Sequence, residues 1–194
     1  LLRIIAGRFK GRQLESPAGA WLRPTSDRMK ETVFNVLQAD IETAVVLDLF
    51  AGTGNLGLEA LSRGARRVVL VEQDRRALGV LHRNVARLGV AAEVVVVAAD
   101  AIRYSAAPEH GPFDIVIADP PYDSACEPDL LAAFDVRALR AGGWFVLQHS
   151  RLAALGAPPA PWLHVHTKRF GDTCIEFWRQ PDAGIVQEET HVAP

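Results

Sequence analysis

Asp119-Pro120-Pro121-Tyr122 follows directly on the apolar run 113–118, Phe-Asp-Ile-Val-Ile-Ala. A buried strand ends there, and its carboxyl end presents a carboxylate, two prolines and an aromatic ring. The prolines hold φ near roughly −65° and remove two backbone donors, so the loop is stiff and its carbonyls remain acceptors. One acid, one outward carbonyl and one flat ring suit a planar base carrying an exocyclic amine. Such an amine is a poor nucleophile, because its lone pair is delocalised into the ring. Asp119 and the Pro120 carbonyl can each accept one N–H, which turns the lone pair toward an electrophile and stabilises the positive charge that builds on nitrogen. Positioning for in-line displacement supplies much of the remainder. Pro121 completes the rigid turn, and Tyr122 offers a stacking face worth roughly 1–3 kcal/mol. A base inside a helix cannot reach such a pocket, so it must be unpaired or flipped out. The plain alternative is a strand stop, since Pro-Pro punctuates many turns.

The second constellation is Asp48-Leu49-Phe50-Ala51-Gly52-Thr53-Gly54-Asn55-Leu56-Gly57. Glycines at 52, 54 and 57 fit G-x-G-x-x-G between a strand and a helix, where the backbone turns tightly and approaches a ligand closely. Glu72 ends the next strand, where a carboxylate can accept from both ribose hydroxyls of an adenosine. Two cofactor classes use this motif. A nicotinamide dinucleotide would set its pyrophosphate over the helix N-terminus, and Asp48 would then face two phosphates. S-adenosylmethionine carries an ammonium and a sulfonium instead, both of which favour a carboxylate, so Asp48 tips the reading toward it. Gly52, Thr53 and Gly54 form the cradle. Asp48 can also cap the loop's own amides, and the two roles are compatible. Asp100, with Ala101 after it, closes the third strand beside the expected adenine; an N-cap for the following turn is the competing role, and both can hold.

These residues need a scaffold. From residue 44 onward, continuous Val/Ile/Leu runs alternate with helical periodicity: strands at 44–50, 67–72, 93–98, 113–118 and 143–148, helices at 56–61, 74–88 and 127–139, and a helical turn at 101–106. That alternation predicts a parallel sheet covered on both faces. Ligand crevices in such sheets lie outside the carboxyl ends of the strands, near the switch point between strands one and four. This brings 119–122 beside the 52–57 loop. Residues 162–168 and 173–178 have no room for a helix between them and read as an antiparallel pair. Before the sheet, 3–16 reads as a short hairpin around Gly7 and Gly11. A helix starts near Ser26 with Met29, Val33, Val36 and Leu37 on one face.

The chain has 194 residues, nearly half of them apolar, and a net charge of −2. It reads as one domain with an appendage. No run of 18 apolar residues marks a membrane span, and the apolar start at 1–5 is too short for a signal peptide. Cys126 and Cys174 lack metal or redox spacing and read as free thiols of a reducing cytoplasm. Residues 1–30 carry seven basic residues against two acids, a net of +5, while the remainder carries −7. A basic arm (1–25) on an acidic body (26–180) is a candidate phosphate-contacting surface, with a solvated face as the alternative. Residues 181–194 read as a loose acidic tail. His164 and His166 alternate on one strand and should share a face, but two histidines fall short of a zinc site. The tryptophans, Trp21 aside, read as packing.

Taken together, Asp48, Gly52-Thr53-Gly54, Glu72, Asp100 and Asp119–Tyr122 resemble class I S-adenosylmethionine-dependent methyltransferases of exocyclic amines. Arg3-Ile4-Ile5-Ala6-Gly7, Lys10-Gly11-Arg12, Arg23-Pro24-Thr25-Ser26-Asp27-Arg28, Glu31, Phe34-Asn35-Val36-Leu37 and Arg169-Phe170-Gly171-Asp172-Thr173 narrow the resemblance to the RsmD family, over residues 2 to about 179. The resemblance implies a Rossmann-like fold with strand order 3-2-1-4-5-7-6 and an antiparallel strand seven. It implies methylation of N2 of one guanine in 16S ribosomal RNA, conventionally position 966, on the 30S subunit or a late assembly intermediate. Arg3, Arg8, Lys10, Arg12, Arg23, Thr25 and Arg28 then become RNA contacts. A cytoplasmic monomer without metal is the expectation. An adenine-N6 methyltransferase, a nicotinamide-dependent oxidoreductase and a non-catalytic RNA-binding assembly factor are the alternatives. The Asp-Pro-Pro-Tyr loop alone does not separate guanine N2 from adenine N6.

Overall fold

The computed structural model describes residues 2–16, 27–121 and 124–182. Apolar runs without alternation form strands buried on both faces. β1 (Val45–Leu49) is buried at every position, and β2 (Arg67–Glu72) and β4 (Phe113–Ala118) nearly so. With β3 (Val94–Ala98), β5 (Leu139–Ser150), β6 (Leu163–Phe170) and β7 (Thr173–Arg179) they make one seven-stranded sheet, ordered β3-β2-β1-β4-β5-β7-β6. The first five strands run parallel, and β7 is antiparallel to both neighbours. This is the order the resemblance implies. It places the ends of β1 and β4 side by side, with Leu49 opposite Ala118.

Helices cover both faces. On one face lie α1 (Asp27–Val36), α2 (Asn55–Ser62) and α3 (Arg75–Leu88). On the other lie α4 (Ala101–Ser105) and α5 (Glu127–Ala133), with Trp162 packed beside them. Local signals set the α3 boundaries. The Asp74 side chain accepts from the amides of Arg76 and Ala77, and Gly89 ends the helix at φ 72°.

The N-terminal hairpin is smaller than its sequence suggests. One antiparallel bridge, Arg3 with Gln13, joins its two sides around a 3-10 turn at Gly7–Phe9. It is nonetheless part of the body. Ile4 and Leu14 are buried in the core cluster beneath α1 and α2. A Cβ at Gly7 would lie 1.8 Å from the Ser62 carbonyl oxygen, so only glycine permits this approach to the end of α2.

Four expectations are corrected. The helix expected over 127–139 stops at Ala133, and β5 starts at Leu139 rather than at 143. Phe134 leaves helical geometry at ψ 125° and turns its ring against Phe145 and Trp162, at 5.0 and 5.3 Å. Asp135 then caps a 3-10 turn at Val136–Ala138. His164 and His166 do not share a face. A register shift between them pairs His164 with Trp178 and His166 with Phe177, which lie on opposite sides of the sheet. Lys30, counted in the net positive charge of residues 1–30, is fully buried. Trp144, Trp162 and Trp178 are core residues. Ser26, Trp21 and the tail beyond 182 lie outside the described residues. Among the described residues, no helix is long and apolar enough to cross a membrane. None of their His, Cys, Asp and Glu side chains form a group able to hold a metal.

Candidate active site

Three carboxylates converge at the carboxyl ends of neighbouring strands. Asp48 lies on β1, Glu72 ends β2 and Asp119 follows β4. The Asp119 amide donates to the Leu49 carbonyl at 3.4 Å, which draws the Asp-Pro-Pro loop across the end of β1. Asp48 is 1% exposed. Its Oδ2 accepts from the Gly57 amide at 2.7 Å, while its Oδ1 is buried without a hydrogen-bond partner. Burial pushes its pKa up from 3.8 to about 8; the Gly57 hydrogen bond opposes the shift, and the charges of Asp119 and Glu72 add to it.

The chain leaves β1 through Phe50, a non-glycine residue at φ 63°. Such a backbone angle is tolerated only where the surroundings enforce it, and it is concentrated at functional sites. Gly54 then caps α2 in a left-handed conformation at φ 87°. A Cβ there would be 2.6 Å from Leu81 Cδ1, so the loop lies directly on α3. Glu72 fixes the other side. Its Oε2 accepts from the Gly52 amide at 2.8 Å, and its Oε1 accepts from the amides of Gln73 and Asp74. Oε1 is thereby filled, whereas Oε2 retains a lone pair. Asp100 caps α4 by accepting from the Arg103 amide through Oδ1, which leaves Oδ2 for another donor; Ala101 beside it is buried. The two roles weighed for Asp100 are geometrically compatible.

In the loop after β4, Pro120 is buried and Pro121 exposed. The Pro121 carbonyl accepts from the Ser124 amide and hydroxyl, at 3.0 and 2.6 Å. Among the described residues, the Pro120 carbonyl accepts no hydrogen bond. Tyr122 lies outside the described residues.

The candidate RNA contacts are spent unevenly. Arg3 pairs with Asp27 and Arg8 with Glu93, at 2.9 and 2.6 Å. Arg28 lies over the Phe170 ring at 5.7 Å. Lys10 and Arg12 are exposed with no ion pair among the described residues. Arg23 and Thr25 lie outside them.

The sequence reading missed a buried polar layer beneath the arm. Lys30 donates to the Arg3 carbonyl and to Asn55 Oδ1, at 2.5 and 2.9 Å, with Glu59 at 3.6 Å. Burial lowers the Lys30 pKa, and the charges of Glu59 and Asp27 oppose that shift. Glu59, fully buried, accepts from the amides of Ile5 and Ala6 and from Arg63 Nε. Asn84, also fully buried, donates to the carbonyls of Thr53 and Glu15 and accepts from the Glu15 amide. A signal for this layer existed. Lys30 falls in register with Val33, Phe34 and Leu37, and Asn84 with Val80, Leu81 and Leu88, so each is a polar residue on an apolar helix stripe.

Comparison with known proteins gives a consistent result. A family profile described as conserved hypothetical protein 95 matches residues 2–179. A Bacillus subtilis protein named "Putative rRNA methyltransferase YlbH" is 32% identical over 182 residues, 92% of this chain and 99% of its own. The "Ribosomal RNA small subunit methyltransferase D" of Escherichia coli K12 is 46% identical over 121 residues, 62% of this chain and 60% of its own. The solved structure titled "Putative methyltransferase yhhF from Escherichia coli" superposes with a TM-score of 0.83 at 34% identity, covering 93% of this chain and 98% of that one.

Proposed function

The chain belongs to the family described as conserved hypothetical protein 95, the RsmD methyltransferases, and on that premise we propose that it methylates the exocyclic N2 of a guanine, conventionally position 966, in 16S ribosomal RNA. The fold is the Rossmann-like class I methyltransferase fold. The observation that carries the reading is the trio Asp48, Glu72 and Asp119 around a glycine loop, with one Asp48 oxygen buried and unpartnered. Carboxylates gathered in one crevice oppose one another's ionisation, which adds to the raised pKa of Asp48, and a cationic ligand relieves that repulsion. The carboxylate cluster therefore suits S-adenosylmethionine, whose sulfonium supplies an activated methyl group. Gly52, Thr53 and Gly54 form its floor. Glu72 Oε2 has a lone pair for a ribose hydroxyl, and Asp100 Oδ2 with Ala101 lines the adenine side.

Asp119 and the Pro120 carbonyl hold the two N–H groups of the target amine. With the cofactor bound, its sulfonium would supply the methyl group to the nitrogen, both acceptors would stabilise the charge that builds there, and the Asp119 carboxylate would take the surplus proton. Pro121, locked by Ser124, keeps the loop rigid, and Tyr122 supplies the stacking face. The arm, residues 1–25, docks RNA, chiefly through Lys10 and Arg12, with Arg3, Arg8, Arg23, Thr25 and Arg28 around them. The body, residues 26–180, carries the chemistry, and 181–194 form a tail. The substrate is the 30S subunit or a late assembly intermediate, and the protein acts as a cytoplasmic monomer without metal.

The test is mass mapping of methylated nucleotides after unmethylated small subunits are incubated with protein and cofactor. One N2-methylguanine is expected. Methylation on adenine N6, or none, overturns the assignment.

A further inference from the structure

Gly54 is the pivot of the cofactor loop, and both of its chain neighbours are tied to the N-terminal arm. The Thr53 carbonyl accepts from Asn84 Nδ2 at 3.0 Å, and the same amide group reaches the main chain of Glu15 through both its nitrogen and its oxygen, at 3.1 and 2.7 Å. Asn55 Oδ1 accepts from Lys30 Nζ at 2.9 Å, and that ammonium also donates to the Arg3 carbonyl. Asn84 and Lys30 are both fully buried. One side chain thus joins each flank of Gly54 to one side of the arm, Glu15 on the second and Arg3 on the first.

We propose that Asn84 and Lys30 are positioning residues through which the N-terminal arm sets the geometry of the glycine loop, so that the arm is a working part of the cofactor site. The inference rests on the reading of that loop as the cofactor cradle. Two features of the structure support it. First, the connections go to main-chain atoms of the arm, so they register where the arm's backbone lies and not which side chains it carries. Second, buried polar groups are costly when one partner is removed, so these links hold only one arrangement well. Gly54, at φ 87° and against Leu81, has no slack to absorb a shift of its neighbours. By contrast, the Glu15 carboxylate points away to Arg83 and Arg87, in pairs that are about half exposed.

The test separates the backbone of Glu15 from its side chain. Glu15→Pro removes the amide donor to Asn84 Oδ1, whereas Glu15→Ala removes only the surface ion pairs. Affinity for S-adenosylhomocysteine is measured by calorimetry, and deuterium uptake of the 51–57 segment by mass spectrometry without ligand. Glu15→Pro and Asn84→Ala should each weaken binding about tenfold and speed exchange in 51–57. Glu15→Ala should stay within about twofold of the parent. The double variant Glu15→Pro/Asn84→Ala should lose little more than either single one, because both cut the same link. Additive losses overturn the proposal. So do variants with a lowered melting temperature but unchanged affinity and unchanged exchange at 51–57, which would make the link merely structural. If Glu15→Pro does not fold, the exchange of Asn84→Ser alone decides, with protection of 51–57 at the parental level as the refuting result. A parent protein that binds no S-adenosylhomocysteine defeats the cofactor reading, while the exchange measurement still tests the positioning.

Discussion

Asp48→Asn should stabilise the ligand-free protein at alkaline pH and leave it almost unchanged in acid. The Asp48 carboxyl has its pKa raised from 3.8 to about 8, chiefly by burial. The unfolded chain releases this proton near pH 4, roughly the value of a free aspartate. Below that pH both states hold the proton, and the group contributes no slope. Between about pH 4 and pH 8 the unfolded state has lost the proton and the folded state retains it, so stability falls as pH rises, by about 1.4 kcal/mol per pH unit. Above about pH 8 the loss levels off, at roughly 6 kcal/mol in total. An asparagine has no proton to release, and its amide oxygen still accepts from the Gly57 amide, so the variant should lack this slope. Urea denaturation of both proteins at about pH 4, 6 and 8 checks it. The two should match in acid, and Asp48→Asn should lead by several kcal/mol at pH 8. Saturating S-adenosylhomocysteine should reverse that ranking, because its ammonium stabilises ionised Asp48. Parallel pH profiles for the two proteins would refute the reasoning, since they would mean that Asp48 ionises as freely in the fold as outside it.

Asp119→Ala should lower methyl transfer by about a hundredfold or more while leaving cofactor affinity within a few fold, as single-turnover assays and calorimetry would show; near-normal turnover would remove Asp119 from the reaction. Gly54→Ala should destabilise by about 2 kcal/mol in thermal denaturation, because it places a Cβ 2.6 Å from Leu81 Cδ1 at a positive φ. Replacing Arg8, Lys10 and Arg12 together with alanine should weaken small-subunit binding and make the log K against log salt plot shallower by about 2. Arg8, already paired with Glu93, should contribute least, and an unchanged slope would move the docking surface elsewhere.

The strands and the glycine loop were legible because their signals are local. Val45–Leu49 and Phe113–Ala118 are unbroken apolar runs, and Asp74 and Gly89 bracket α3 within its own sequence. Where the expectations went wrong, a distant partner had intervened. The helix at 127 ends early because the Phe134 ring finds Phe145 and Trp162, both remote in the chain. The face of His166 depends on a register shift against β7, which no alternation along β6 alone encodes. The positive φ of Phe50 carried no signal, because its residue type does not favour that conformation.

By itself, then, the amino-acid order determined the parallel sheet, the glycine loop after the first strand and the Asp-Pro-Pro-Tyr loop after the fourth. Hydrophobic periodicity, turn residues and motif spacing all act over a few neighbouring positions. The tertiary structure alone decided which charges remain available. It buried Lys30 against Glu59 and Asn55, engaged Arg3 and Arg8 in ion pairs, and left one Asp48 oxygen without a partner. Net charge counts residues, but the energy of a charge depends on its solvent exposure and on the groups within a few ångströms. Those neighbours come from segments far apart in the chain, and folding alone brings them together.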